Sequence, residues 1–230
     1  MKNYLSKIYV IHYSKLTGRK NHMTSEMQKW GLYKIPIHFE EMMDQEDMSS
    51  FDVYDLINLE KFKQNTGRDI KKGEASLCLK YKLILNDIGK LNDDDYVLVL
   101  EDDVIFKEDP LKYINSIIQK SIDEKIDFDC VFMGEAALRV GDDRDIFEKK
   151  EYPSTNGLCT VLYKVSSAKK LLHNLSIFKI ENALDWHFNN VFRDLNFNVY
   201  WGKAITEHGS VTAVHDNKKR HLKSVLRSSY

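Results

Sequence analysis

Tyr96–Leu100, YVLVL, runs without a polar interruption into Glu101-Asp102-Asp103. A short run of this kind, apolar on both alternating faces, is the pattern of a central strand covered from both sides. Such a strand implies a sheet between two helical layers, so the flanking sequence should alternate strand and helix.

It does so in both directions. Upstream, Glu74–Ile88 repeats apolar residues at Leu77, Tyr81, Ile84, Leu85 and Ile88, one face of a helix. Lys7–His12 is a short strand, and Thr17 caps a helix that runs to Trp30 and stops at Gly31. Lys34–Phe39 is a strand pushed toward a sheet edge by Pro36, and Asp52–Gln64 is a weaker helix. Downstream come a helix at about Leu111–Lys125, strands at Phe128–Met133 and Leu158–Lys164, and a helix capped by Ser166 or Ser167. A helix over Ala183–Leu195 and a strand over Asn198–Gly202 follow. The sum is a three-layer α/β fold with a mostly parallel sheet. Glu135–Asn156 is long, charged and aperiodic, which suits a binding loop or an ordinary surface excursion.

The 230 residues are 43% hydrophobic with three prolines and no compositional break, which predicts a single domain over residues 1–230. A formal net charge of −1 gives no global field for nucleic acid, so none is expected as a partner. Cys78, Cys130 and Cys159 lie in apolar stretches without metal or redox spacing and read as buried free thiols. The amino-terminal apolar run is too short for a signal peptide, and no stretch is long enough to span a bilayer. A cytoplasmic location is therefore expected. The basic tail at 217–230 suits either a peripheral contact with the inner membrane surface or a solvated, frayed terminus.

Ligands of open α/β sheets bind beyond the carboxyl ends of the strands, where Glu101, Asp102 and Asp103 stand. If the extended backbone continues, Glu101 and Asp103 project to one side and Asp102 to the other. Two clustered hard oxygen ligands suit Mn2+ or Mg2+ that also meets phosphate oxygens. A cation there would neutralise the charge that gathers on a departing nucleoside diphosphate. The run Asp93-Asp94-Asp95, by contrast, reads as a solvated loop.

Four blocks in order, YVIHYSKLTGRK, GEASLCLKYKLIL, DYVLVLEDDVIF and CTVLYKVSSAKKLL followed by DWHF, resemble glycosyltransferase family 25, which includes lipooligosaccharide and collagen galactosyltransferases. The resemblance implies a GT-A-like fold and transfer of a hexose, galactose or glucose, from a UDP-sugar to a glycan, lipid-linked saccharide or protein hydroxyl. It implies Asp103 as main metal ligand, Glu101 as a second, and Asp102 as a contact to ribose or donor sugar. Arg19 is placed at the nucleotide or its phosphates, and Glu74 belongs to a Gly-Glu pair beginning the central helix, where it also suits the helix dipole. The Ser-His usual later in that helix is Lys80-Tyr81 here. Asp185 aligns near the acceptor, where an inverting reaction needs a base; a helix-capping role fits it equally. His208 sits where a carboxy-terminal side chain returns to the metal, with His215 as a fallback. Two other readings stay open, a catalytically silent saccharide- or nucleotide-binding protein and a nucleotidyltransferase; the second normally carries a glycine-rich phosphate loop, whereas Gly18 stands alone.

Overall fold

A computed structural model describes residues 4–134 and 147–208, the last by its backbone only. The basic tail at 217–230, His215 and most of the charged excursion lie outside the described residues. Strands β1 (Leu5–Ile11), β2 (Ile37–Glu40), β3 (Tyr96–Glu101), β4 (Val104–Phe106), β5 (Cys130–Gly134), β6 (Phe147–Lys149), β7 (Thr160–Lys164) and β8 (Val199–His208) form one sheet. Its order is β2-β1-β3-β7-β5-β8-β4, with β6 on β8.

Alternation along β3 explains the layers. Val97 and Val99 enter one core, with Tyr81, Ile84 and Leu85 of α4 (Lys72–Ile88), Leu171 of α6 (Val165–Ile177) and Phe188 of α7 (Leu184–Asp194). Leu98 and Leu100 enter the other, with Met23 and Met27 of α1 (Thr17–Lys29) and Ile114, Ile117 and Ile118 of α5 (Pro110–Asp123). Both faces are dry, as the apolar run of YVLVL requires. The three cysteines are buried and form no disulfide among the described residues.

The expectation of a mostly parallel sheet is corrected: the sheet is mixed. β1 runs parallel to β2 and β3, and β5 to β8, whereas β7 runs antiparallel to both β3 and β5, and β4 and β6 antiparallel to β8. A parallel neighbour needs a crossover of a dozen or more residues that leaves the sheet, usually a helix. Among the described residues no helix lies between β5 and β7, and β7 returns within the sheet.

Other departures are local. The helix expected over Asp52–Gln64 is two, α2 (Ser50–Leu56) and α3 (Leu59–Thr66), because Ile57 leaves helical geometry to bridge Ile180. Thr17 is the first residue of α1, not its cap, and Ser166 and Ser167 lie inside α6, whose cap is Lys164. Ser167 instead bonds Asp129 at 2.5 Å. The short strands β4 and β6 escape a periodicity reading because three residues carry no measurable alternation. Pro36 does mark an edge, since among the described residues β2 pairs only with β1.

Gly134 ends β5 where the backbone is hemmed in by β7 and β8. A Cβ there would overlap Cys159 Sγ and approach Thr160 Cβ and Thr206 Oγ1 at 3.2 Å, two threonines already joined at 2.6 Å. Gly134→Ala should therefore destabilise the fold by about 1–3 kcal/mol through overpacking, read as a lower urea midpoint at unchanged m-value.

Candidate functional site

The register of the parallel pair sets the site. Ile11 of β1 lies opposite Glu101 of β3, so the next residues, His12 and Asp102, leave the sheet side by side. His12 Nδ1 is 2.8 Å from Asp102 Oδ2. The chain then turns at Asp102-Asp103 before β4. This breaks the expected alternation: Asp102 and Asp103 do not point to opposite sides but meet one guanidinium. Arg19 Nη1 donates to Asp102 Oδ1 at 2.6 Å, and its Nη2 is 3.1 Å from Asp103 Oδ2.

All the charges in this group are withdrawn from water. Arg19 is 3% exposed, Asp103 0% and His12 1%. Burial alone would raise the Asp102 carboxyl, but the His12 hydrogen bond and the Arg19 charge hold it below the usual carboxylate range. The first turn of α1 supplies Arg19, and the same helix face continues the contact along the strand. His22 Nε2 donates to the Val104 carbonyl at 2.9 Å, and Glu26 Oε2 accepts the Phe106 N–H at 3.0 Å. Spacings of three and four residues put Arg19, His22 and Glu26 on one stripe. That stripe was the available signal in the sequence.

In front of this group is a cleft lined among others by Ile11, His12, Tyr13, Arg19, Gln45, Leu77, Glu101 and Asp102. It sits between the ends of β1 and β3 and the start of α4, at the carboxyl ends of parallel strands where such sheets take ligands. Glu101 and Asp102 face this cleft; Asp103 is not among its lining residues. His12, not among the site candidates read from the sequence, is a wall residue and a partner of the acidic turn.

The other sequence candidates fall around it. Glu74 receives Arg68 in a two-pronged bond, Nη1 to Oε2 at 2.7 Å and Nη2 to Oε1 at 2.6 Å, and accepts the Lys71 N–H at 3.0 Å. Burial works to raise its carboxyl, yet these bonds hold it below the usual range. Its dipole-favoured place in the first turn of α4 is the role these bonds describe. Asp185 lies in the first turn of α7, whose cap is Ala183, so it is not the capping residue. Burial pushes its carboxyl above the usual range against the opposing bond from the Trp186 N–H, and the charges of Glu101 and Glu74 add to the rise. Glu101, Glu74 and Asp185 thus share one electrostatic neighbourhood. His208 ends β8 in register with Val104, the residue that follows the acidic turn; its side chain is outside the description.

Among the described residues no three His, Cys, Asp or Glu side chains group closely enough to enclose a metal. Asp102 has both oxygens committed to protein partners. Of the other two acids Glu101 lines the cleft, while Asp103 is fully buried against Arg19; two carboxylates are what magnesium or manganese takes from a protein when phosphate oxygens and water complete its shell. The donor set fits a cation bound together with a diphosphate, not a closed protein cage.

The model of "Glycosyltransferase family 25 (LPS biosynthesis protein)" matches residues 5–137, a span that holds β1, α1, α4 and the acidic turn. No curated protein matches the chain. Among solved structures, one described as a glycosyltransferase involved in the glycosylation of the major capsid of PBCV-1 is 12% identical, with a TM-score of 0.45 over 90% of this chain and 93% of that one.

Removing Arg19 leaves two buried carboxylates without their counter-charge. Arg19→Met should cost about 3–5 kcal/mol at pH 7. Because the folded Asp102 titrates below its unfolded value, its contribution is present above the ordinary carboxylate pKa of about 4 and fades as pH falls through the folded one. The penalty of the variant should therefore shrink on acidification. Urea titrations of both proteins at pH 7 and in steps below the ordinary carboxylate pKa of about 4 measure this, and a penalty that stays constant throughout would contradict it.

Proposed function

The chain belongs to glycosyltransferase family 25 and is a glycosyltransferase, and from that premise we propose that it moves a hexose, galactose or glucose, from a UDP-sugar to an acceptor hydroxyl with inversion, on a GT-A-like fold. The observation that carries this reading is a cleft lined by Arg19, Glu101 and Asp102, with Asp185 close enough to Glu101 and Glu74 for their charges to add to the rise of its carboxyl.

The parts divide as follows. The nucleotide lies along the ends of β1 and β3 with its diphosphate toward Glu101. Asp102 acts on the donor indirectly: with both oxygens engaged, it orients Arg19 and His12 at the cleft wall. Mn2+ or Mg2+ held by Glu101 and Asp103, with His208 as a further candidate, would supply neutralisation of the leaving diphosphate. Glu74 supports the start of α4 and adds negative potential beside Asp185.

Asp185 takes the proton from the acceptor hydroxyl as that oxygen attacks the anomeric carbon and the bond to UDP breaks. A carboxyl raised by burial and by neighbouring acids is a stronger base once ionised than an ordinary aspartate, which is what this step requires. The half-exposed Trp186 beside it keeps the position open to a large acceptor. The LPS description of the family supports a lipid-linked saccharide as that acceptor. A peripheral membrane contact through the tail at 217–230 would bring such an acceptor within reach.

UDP release from UDP-galactose and UDP-glucose with manganese tests the reading. Asp185→Asn should lower kcat by about 10²–10⁴ while UDP still binds. In the native protein kcat/KM should fall as pH drops through the raised Asp185 pKa, at higher pH than an ordinary aspartate would allow, and this limb should vanish in the variant. No UDP release with any donor sugar would overturn the proposal.

A further inference from the structure

The wall of the cleft opposite the acidic turn is built on a buried lysine. Lys80, midway along α4, is 3% exposed. Its Nζ donates to Asp44 Oδ1 at 2.6 Å, to the His12 carbonyl at 2.7 Å and to the Glu40 carbonyl at 3.3 Å. An ammonium has three N–H donors, so all three are spent on protein and none is left for a ligand.

Asp44 is buried too and turns its other oxygen to Ser14, accepting the backbone N–H at 3.0 Å and the hydroxyl at 2.5 Å. One ion pair thus fastens the end of β1, the start of the loop into α1, the end of β2 and the segment after it to a single helix. Ser76, one turn earlier on α4, adds a bond from its hydroxyl to the Met43 carbonyl at 2.6 Å. The stretches held in this way carry Tyr13 and Gln45, which line the cleft together with Lys80 and Ser76. A serine at position 80, usual in the family motif, ends at the γ position and would be too short to span these strand ends.

We propose that Lys80 is a positioning residue of the donor cleft. Through Asp44 it holds residues 13–14 and 40–45 in the shape that receives the nucleotide end of the donor. The inference rests on the donor reading of the cleft given above. The side-chain hydrogen bonds of Lys80 and Asp44 go to His12, Glu40, Ser14 and each other, so the effect belongs to donor binding and not to the chemical step.

The test uses Lys80→Met and Asp44→Asn in the full chain, with UDP affinity by calorimetry, steady-state kinetics and amide hydrogen exchange. In Lys80→Met the Kd of UDP and the donor KM should rise about tenfold or more while kcat stays within about threefold. Exchange should quicken over residues 40–48 and not across β3. Asp44→Asn, which keeps the size of the side chain and an acceptor, should shift Kd and KM in the same direction by a smaller factor, and it decides the matter if Lys80→Met does not fold. UDP binding by the native protein with Kd and KM unchanged in the folded variants, or a loss confined to kcat, would overturn this proposal alone. No UDP binding by the native protein would overturn the donor reading and this proposal together.

Discussion

Two aspartates at the end of a strand with no exposed face have to be given a positive partner, and Arg19 is that partner. A charge buried without one would cost several kcal/mol, more than most single contacts in the fold return. The requirement fixes where α1 lies: its first turn must reach the acidic turn, and its polar stripe then follows residues 102–106 through His22 and Glu26. With α1 placed, Met23 and Met27 complete the core on that face of the sheet. The site and the packing of one layer are thus consequences of the same ion pair.

The remaining geometry comes from strand direction. β1 and β3 are parallel and in register, so their carboxyl ends open at one level and their next residues, His12 and Asp102, meet. α4 begins at that level, and the first turn of α7 brings Asp185 into the same field. β7 runs the other way between β3 and β5 and delivers Cys159 beside the acidic turn, where the charges of Glu101 and Asp103 add to the effect of burial in raising its thiol pKa. A mixed sheet can therefore gather groups from both strand directions beside the acidic turn.

Much of this was legible in the sequence. The apolar run before Glu101 identified the central strand and both helical layers, since no other arrangement buries five such residues on both faces. Pro36 marked an edge strand, and the spacing of Tyr81, Ile84, Leu85 and Ile88 marked the helix that covers one core. Strand direction was not legible, because periodicity carries no sign and the stretch between β5 and β7 has no clear pattern. Side-chain direction after Glu101 was misjudged for a related reason: the alternation rule holds only while the backbone stays extended, and the chain turns at Asp102. Lys80-Tyr81 stands out where Ser-His is usual, but Lys80 and Asp44 lie far apart in sequence, so their pairing emerges only once β2 and α4 are packed.

The account places the nucleotide of a UDP-sugar in the cleft between β1, β3 and α4, with its diphosphate at Glu101 and Asp103, while Asp102 stays bound to Arg19 and His12. A crystal structure of the protein soaked with UDP and manganese measures this directly. The account predicts uridine diphosphate along Ile11–Tyr13, a manganese ion touching Glu101 or Asp103 and the diphosphate, and an unbroken Arg19–Asp102 pair. UDP bound elsewhere, or Asp102 released from Arg19 to become the metal's principal ligand, would contradict it.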